Sequence, residues 1–329
     1  MIRLLVVLLL WPALASAAPL AEWRSELSRD HPLVGRIWSG AENDFVSPEA
    51  LRAKLVAARF VLLGEKHDNA DHHRLQAWAL AELIEAGRRP AVVWEMFAAD
   101  QAAALDAYLA TLDATAAGLG PAVGWEDSGW PDWALYRPIA ETALAVPLPL
   151  VAGNLSNADK RLVLEGGLDA LPADRRDALA LQAWDAGLRA SLVDDLYESH
   201  CKLMERDLMD PLVAVQRLRD AMLAEAMLAG GRDDGAVLIA GAGHARRDRG
   251  VPWYLAARGA GPAVVVLFRE VHDDAMDPAD YVGAGAADFI WFTPRLDDRD
   301  HCAELAKRFG KHHRATPPAG HRRRPGPGR

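Results

Sequence analysis

Five short apolar runs along the chain barely alternate with polar residues, and turn-forming residues bound each of them. They are Phe60–Leu63, Ala91–Trp94, Leu148–Ala152, Ala236–Ala240 and Ala263–Phe268. Strands buried on both faces of a parallel sheet have this composition, because helices cover both sides of such a sheet. The pattern therefore predicts five central strands of a parallel sheet.

Apolar residues at helical spacing separate the predicted strands. The clearest helix is predicted over Asp71–Ala86, where one face carries Leu75, Trp78, Ala79 and Leu83. Alternation of strands and helices is typical of a doubly wound α/β fold. We predict an α/β protein with a largely parallel β-sheet flanked by helices.

More than 80 residues between the third and fourth predicted strands carry almost no strand pattern. Leucine and alanine dominate 159–187 and 190–230, and Pro211 must break or begin a helix there. Because this is too long for one crossover, we predict a helical subdomain inserted at about 157–232, over one edge of the sheet. Residues 18–47 are expected to be an irregular lead-in anchored by Trp23 and Trp38, and one α/β domain is expected over 18–300.

The N-terminus has the pattern of an export signal. A basic residue, Arg3, precedes the apolar run Leu4–Leu14, and the run is followed by Ala15-Ser16-Ala17, a cleavage site of the A-x-A type. The run is shorter than the roughly 20 residues of a spanning helix. We predict a signal peptide over residues 1–17 and a periplasmic or secreted protein; a retained membrane anchor is the alternative.

Charge is unevenly distributed. The chain has 37 basic and 46 acidic residues, a net charge of −9, with 51% hydrophobic residues, as in an ordinary globular protein. Eight basic residues and no acidic ones follow residue 304, so the rest of the chain carries −17. An acidic body argues against nucleic acid as the main ligand. The basic stretch 305–329 is predicted to be a disordered tail, either simply solvated or in peripheral contact with an anionic membrane or wall polymer.

Two cysteines, Cys201 and Cys302, allow three interpretations. Export permits a disulfide between them, which would close a long loop. Each also follows a histidine, His200 or His301, so that two His-Cys pairs in principle provide four ligands for a tetrahedral metal. Two unlinked thiols are the third interpretation.

Unusual polar residues follow four of the predicted strands. They are Glu65, Lys66, His67, Asp68 and Asn69 with His72 and His73 after the first strand, Glu95 at the end of the second, Asn154 after the third, and Gly241-Ala242-Gly243-His244 after the fourth. The carboxyl ends of parallel strands meet at one edge, where open α/β sheets bind ligands. We therefore expect these side chains to converge on one crevice.

Each of these residues also fits a purely structural role. Gly64 and Gly241 suit tight turns, and Asp68, Asn69 or Asp71 suits the cap of the next helix. His72 and His73 would then be solvated residues of its first turn. It is the occurrence of such groups at all four strand ends that favours a site.

A cluster of aromatic residues, Trp125, Trp130, Trp133 and Tyr136, lies among glycines and prolines after the second strand. Such a segment lines a flat apolar pocket or packs its rings in the core. The pattern leaves both interpretations open.

Several of these motifs together resemble the ChaN-type haem-binding family, over about residues 41–268. The motifs are Val61–Asn69, His72-His73, Trp94–Phe97 with Asp100-Gln101, Trp133-x-x-Tyr136-x-Pro138, Asn154, His200-Cys201, Gln216–Ala224, and Gly241–Arg246 with Gly250–Pro252. The resemblance implies a parallel sheet with a small helical domain, haem binding, iron uptake at the bacterial envelope, and haem held between two subunits of a homodimer. Members are typically lipoproteins, but this chain has no lipid-acceptor cysteine near the cleavage site.

The resemblance also suggests a haem site. Tyr136 matches the tyrosine that ligates the iron in this family, and a phenolate suits ferric haem. Arg137 is then placed to pair with a propionate, Trp133 to give apolar contact, and His72 or His73 to supply a second ligand.

A wider superfamily shares the same Glu and His pattern and includes erythromycin-esterase-like hydrolases and metal-dependent proteases of the TraB/Tiki type. In that interpretation Glu65, His67, Glu95 and His244 hold a divalent metal, with His67 and His244 as ligands, or act as general acid and base. The sequence thus leads to an exported haem-binding protein first, a hydrolase second, and an interaction protein with a vestigial site third.

Overall fold

The predicted runs form strands in the computed structural model, which describes residues 22–182, 184–232, 234–283 and 285–307. The strands are β1 (Ile37–Ser39), β2 (Asp44–Val46), β3 (Phe60–Glu65), β4 (Ala91–Ala98), β5 (Leu150–Asn154), β6 (Ala236–Gly241), β7 (Ala263–Glu270) and β8 (Phe289–Thr293). The helices are α1 (Pro48–Ala57), α2 (Ala70–Glu85), α3 (Ala102–Leu109), α4 (Ala116–Ala122), α5 (Trp133–Leu144), α6 (Asn157–Gly166), α7 (Ala173–Ala178), α8 (Ala186–Ser199), α9 (Asp210–Gly230), α10 (Ala242–Ala245) and α11 (Val251–Ala257). The predicted signal peptide and nearly all of the basic tail lie outside the described residues.

All eight strands belong to one sheet, in the order β2-β1-β8-β7-β3-β6-β4-β5. The strands from β3 to β8 pair in parallel, and β1 pairs antiparallel with both β8 and β2. The predicted α/β class and largely parallel sheet are confirmed. The prediction of an irregular lead-in is wrong at β1 and β2, although Trp23 and Trp38 do pack against the core.

Two apolar layers cover the faces of the sheet. Val61 and Leu63 face one layer with α1, α2 and α5, whereas Leu62 faces the other with α9 and α11. These three residues of β3 are all buried, which explains why the strand shows no alternation of polar and apolar positions.

The predicted helical insertion has two parts in the structure. Helix α9, with Pro211 in its first turn as predicted, packs across β5, β4 and β6 and completes the crossover between β5 and β6. Helix α8 and the start of α9 enclose a small apolar cluster of their own, formed by Leu192, Val193, Leu196, Met209 and Val213. Among the described residues no helix is both long and apolar enough to cross a bilayer.

Cys201 and Cys302 form a disulfide, which confirms one of the three interpretations and excludes the tetrahedral metal site and the free thiols. The bond ties the end of α8 to the C-terminal segment 301–307 across a sequence separation of 101 residues. Such a cross-link restricts the unfolded chain more than the folded one.

Replacing both cysteines by serine is therefore expected to lower the free energy of unfolding by about 2–4 kcal/mol. Urea denaturation with and without reductant measures this difference. The double variant should be insensitive to reductant and should match the reduced wild type. Equal midpoints for oxidised and reduced wild type would contradict the expectation.

Candidate functional site

The predicted convergence at the carboxyl edge of the sheet is present. Glu65 ends β3, Glu95 lies in β4, and His244 lies in α10, directly after β6. Strand β6 lies between β3 and β4, so all three groups occupy neighbouring positions. Helix α2 leaves β3 on one face and α11 follows β6 on the other, which opens a crevice between the two strand ends.

Two glycines make room for the side chains at this edge. A Cβ atom at Gly64 would lie 2.5 Å from Leu267 Cδ2 and 2.9 Å from Ala245 Cβ, so α10 could not approach β3 so closely. A Cβ atom at Gly241 would lie 2.7 Å from His67 Nε2. Both glycines are therefore required by close packing around the site.

Alternating acidic and histidine side chains run through the crevice, and we call this series the Glu/His chain. Its members, in order, are His73, Glu65, His67, Glu95, His244 and Asp220. Sequence analysis assigned His73 to haem and did not select Asp220. A carboxylate on the buried, otherwise apolar face of α9 was the signal that could have identified Asp220.

Glu65 organises the first half of the chain. Its Oε2 lies 3.1 Å from His73 Nε2, and its Oε1 lies 2.9 Å from His67 Nδ1 and accepts a hydrogen bond of 2.7 Å from the Tyr136 hydroxyl. Burial opposes ionisation of Glu65, but His73 and His67 outweigh it and lower the pKa of this carboxyl to about 2. Glu65 is therefore a buried carboxylate at neutral pH.

Glu95 and His244 organise the second half. Glu95 Oε2 accepts from the backbone N–H of Gly241 at 2.7 Å, and its Oε1 lies 3.2 Å from His244 Nε2. His244 Nδ1 lies 2.6 Å from Asp220 Oδ1. Burial alone would lower the pKa of His244, but Glu95 and Asp220 raise it to about 9. His244 is thus an imidazolium between two carboxylates at neutral pH.

This ion pair predicts a pH dependence of stability. Because folding raises the pKa of His244, protonated His244 stabilises the folded state. This stabilisation is complete below the unfolded pKa near 6.5 and is lost as pH rises through about 9. The free energy of unfolding of wild type relative to His244→Gln is expected to shrink by about 3 kcal/mol between pH 6 and pH 10. Denaturant titrations at stepped pH measure it, and a difference independent of pH would refute the charged state of His244.

Tyr136 does not present its hydroxyl to a ligand. The side chain is fully buried, and its hydroxyl donates to Glu65. Burial and the Glu65 carboxylate raise the pKa of Tyr136 far above its ordinary value, so it stays a neutral phenol. The predicted role of Tyr136 as an iron ligand does not fit this structure.

His72, Trp133 and Arg137 are likewise occupied elsewhere. His72 is buried; its Nδ1 accepts from the Lys66 backbone N–H at 2.9 Å, and its Nε2 lies 3.0 Å from Thr293 Oγ1. Trp133 is buried in the core and donates to a backbone carbonyl. Arg137 is exposed on α5, with its Nε 3.1 Å from Glu141. The predicted haem contacts of these residues are therefore not brought together.

His67 is the member of the Glu/His chain most open to solvent, with 32% of its side chain exposed. Its ring centroid lies 4.9 Å from that of Trp130, the half-buried member of the aromatic cluster. Trp125, Trp133 and Tyr136 pack in the core instead, which decides between the two interpretations of that cluster. His67 lines a cavity of 570 Å³, and Trp130 lines a second one of 390 Å³.

The second ring nitrogen of His67, Nε2, lies on the side of Gly241 and Glu95. This atom lies 3.8 Å from Glu95 Oε2, which is beyond hydrogen-bonding distance. Burial lowers the pKa of His67, but the hydrogen bond that its ring donates to Glu65 and the charge of Glu95 raise this pKa overall. Within the described residues, no three acidic, histidine or cysteine side chains form a group able to hold a metal ion, so the predicted divalent metal is unsupported.

The chain is similar to known proteins both in sequence and in structure. Residues 51–255 match the sequence model of a family described as haem-binding uptake, Tiki superfamily, ChaN. The structure is similar to that of ChaN of Campylobacter jejuni, a protein that binds haem cofacially. The two chains are 22% identical with a TM-score of 0.63, and the match covers 78% of this chain and 95% of that one.

More distant similarities extend to the type III effector HopBA1, at 12% identity, a TM-score of 0.42, and coverage of 75% and 92%. An erythromycin esterase, EreC, follows at 16% identity, a TM-score of 0.38, and coverage of 77% and 81%. No curated protein matches the chain in sequence.

Proposed function

The chain belongs to the ChaN family of haem-binding uptake proteins within the Tiki superfamily, and on that premise we propose that it is an exported protein that binds haem as cargo during iron uptake at the bacterial envelope. The family indicates the ligand. The observation in this chain that supports haem binding best is a partly exposed histidine beside a tryptophan at the mouth of the crevice.

His67 is the proposed iron ligand. Its Nδ1 is held by Glu65, which leaves Nε2 as the atom with a lone pair for iron in the neutral ring. A carboxylate behind a ligating histidine fixes the ring orientation and raises its basicity. Trp130 offers an apolar surface next to the His67 ring, as a porphyrin plane requires. Haem supplies the iron, and His67 would bind it.

Export and assembly complete the proposal. The disulfide between Cys201 and Cys302 supports an oxidising compartment such as the periplasm, where such bonds persist. The N-terminal sequence pattern supports a cleaved signal. We include a homodimer with haem between two copies, because a ligand held by a partly exposed histidine leaves one haem face free for a partner.

The experiment is a titration of ferric haem into the mature protein, read by the Soret band and by sedimentation. Saturable binding with a shift from monomer to dimer supports the proposal. Haem binding without a change in the sedimenting mass contradicts only the homodimer. A signal no different from non-specific uptake by serum albumin contradicts haem binding itself.

A hydrolase remains the second candidate, favoured by one observation: His67 is oriented by the Glu65 carboxylate as a general base would be. In this role its Nε2 would take a proton from water in the 570 Å³ cavity. Turnover of ester or peptide substrates that is lost in Glu65→Gln would support it, and no turnover across such a panel would count against it.

A further inference from the structure

Arg269 lies near the carboxyl end of β7 and is half-buried. Its Nε–H is inaccessible to solvent and donates to no acceptor, and within the described residues no side chain forms a hydrogen bond or ion pair with its guanidinium. Burial, reinforced by the nearby Arg246, lowers the pKa of Arg269 to about 10, yet it stays protonated at neutral pH. A half-buried charge without an ionic partner has lost part of its hydration with nothing to compensate for it, which costs free energy.

The neighbouring charges do not relieve this cost. Asp195, whose negative charge acts on Arg269, already pairs with Arg249 and lies 3.5 Å from Arg246. Arg246 is in turn bound to Asp248. Arg246 and Arg249 therefore already pair with the carboxylates of Asp195 and Asp248, and Arg269 pairs with neither.

Arg269 lines the 570 Å³ cavity beside His67 and His244. The acidic side chains of the same cavity are engaged elsewhere. Glu65 belongs to the Glu/His chain, and Glu270 accepts from Asn69 at 2.7 Å and from the Leu296 backbone N–H at 3.0 Å. Asp280 accepts from the Asp277 backbone N–H at 3.3 Å. Of the lysine, arginine and acidic side chains that line the cavity, Arg269 is thus the one that forms no hydrogen bond or ion pair within the described residues.

We propose that this cavity binds the carboxylate or phosphate group of a ligand through the Arg269 guanidinium, whose planar fork matches both anions. The site lies next to the Glu/His chain, so a bound anion would place the rest of its molecule against His67. The proposal does not depend on haem binding. Its anion is either part of a small ligand or a propionate of haem, and the test separates these two sources.

The test measures binding of inorganic phosphate, acetate, haem and haem dimethyl ester to the full mature protein by calorimetry at pH 7.5. Wild type, Arg269→Gln and Arg269→Lys are compared with Arg161→Gln, which removes an exposed arginine on α6. Wild type and the Arg161 variant should bind phosphate or acetate saturably, and Arg269→Gln at least about tenfold more weakly.

The pattern of loss identifies the source of the anion. If Arg269→Gln binds haem more weakly than wild type does but binds haem dimethyl ester equally well, Arg269 binds a haem propionate. If the variant binds only phosphate or acetate more weakly, Arg269 binds a small anionic ligand. Equal affinities of wild type and Arg269→Gln for all four probes, or no binding of any probe by wild type, overturn the proposal. If Arg269→Gln does not fold, Arg269→Lys decides, since it keeps the charge but loses the fork and must still weaken binding.

Discussion

Replacing His67 by alanine is expected to weaken ferric haem binding at least about 100-fold. Loss of a group that merely orients a metal ligand costs 10- to 100-fold in affinity, so loss of the proposed ligand itself costs no less. A Soret titration compares the variant with wild type. Because Glu65 and Glu95 raise the pKa of His67, protons compete with iron for Nε2, and wild-type affinity should fall as pH drops below neutrality.

Tyr136→Phe provides the matched control. It removes the buried hydroxyl that donates to Glu65 but leaves His67 in place. We expect haem affinity within about threefold of wild type and a loss of stability of about 1 kcal/mol from the missing hydrogen bond. The opposite pattern, with haem binding lost in Tyr136→Phe and kept in His67→Ala, would restore tyrosine as the ligand and refute this assignment.

Replacing Glu65 by glutamine is expected to lower the free energy of unfolding by about 3–5 kcal/mol at pH 7, since it breaks a buried ionic network and leaves His73 and His67 without their carboxylate. A pKa lowered to about 2 means that this stabilisation is complete above pH 4.5 and is lost as pH falls towards 2. Urea denaturation at pH 7 and at pH 3 measures both effects.

Glu85→Gln is the control for this variant, because Glu85 is exposed near the end of α2. We expect it to change stability by no more than about 0.5 kcal/mol at either pH. If Glu65→Gln is equally mild, the Glu/His chain does not stabilise the fold, and its members are held only by the packing around them.

The two strongest expectations separate the roles of neighbouring groups. His67 is partly exposed, so its loss should affect ligand binding far more than folding. Glu65 is fully buried, so its loss should affect folding and, through the orientation of His67, binding as well. Comparing both properties in both variants therefore distinguishes a ligand from the residue that positions it.

Much of the fold could be predicted because local patterns reflect burial directly. The runs at β3, β4, β6 and β7 are apolar on both faces, and the helix predicted at Asp71–Ala86 is α2, one residue earlier at each end. Strands β1 and β2 have only three residues each, too few for a pattern. The apolar run at β8, Phe289–Thr293, did carry a signal, and sequence analysis left it unassigned.

The sequence by itself determined that polar groups at several strand ends would meet, because parallel strands bring their carboxyl ends to one edge. Only the tertiary structure decided what each group does there. It buried Tyr136 against Glu65, enclosed His72 between backbone and Thr293, and left His67 open beside Trp130. Accessibility and partners depend on contacts between residues far apart in the chain, such as His244 with Asp220 or Tyr136 with Glu65, and no local pattern encodes them.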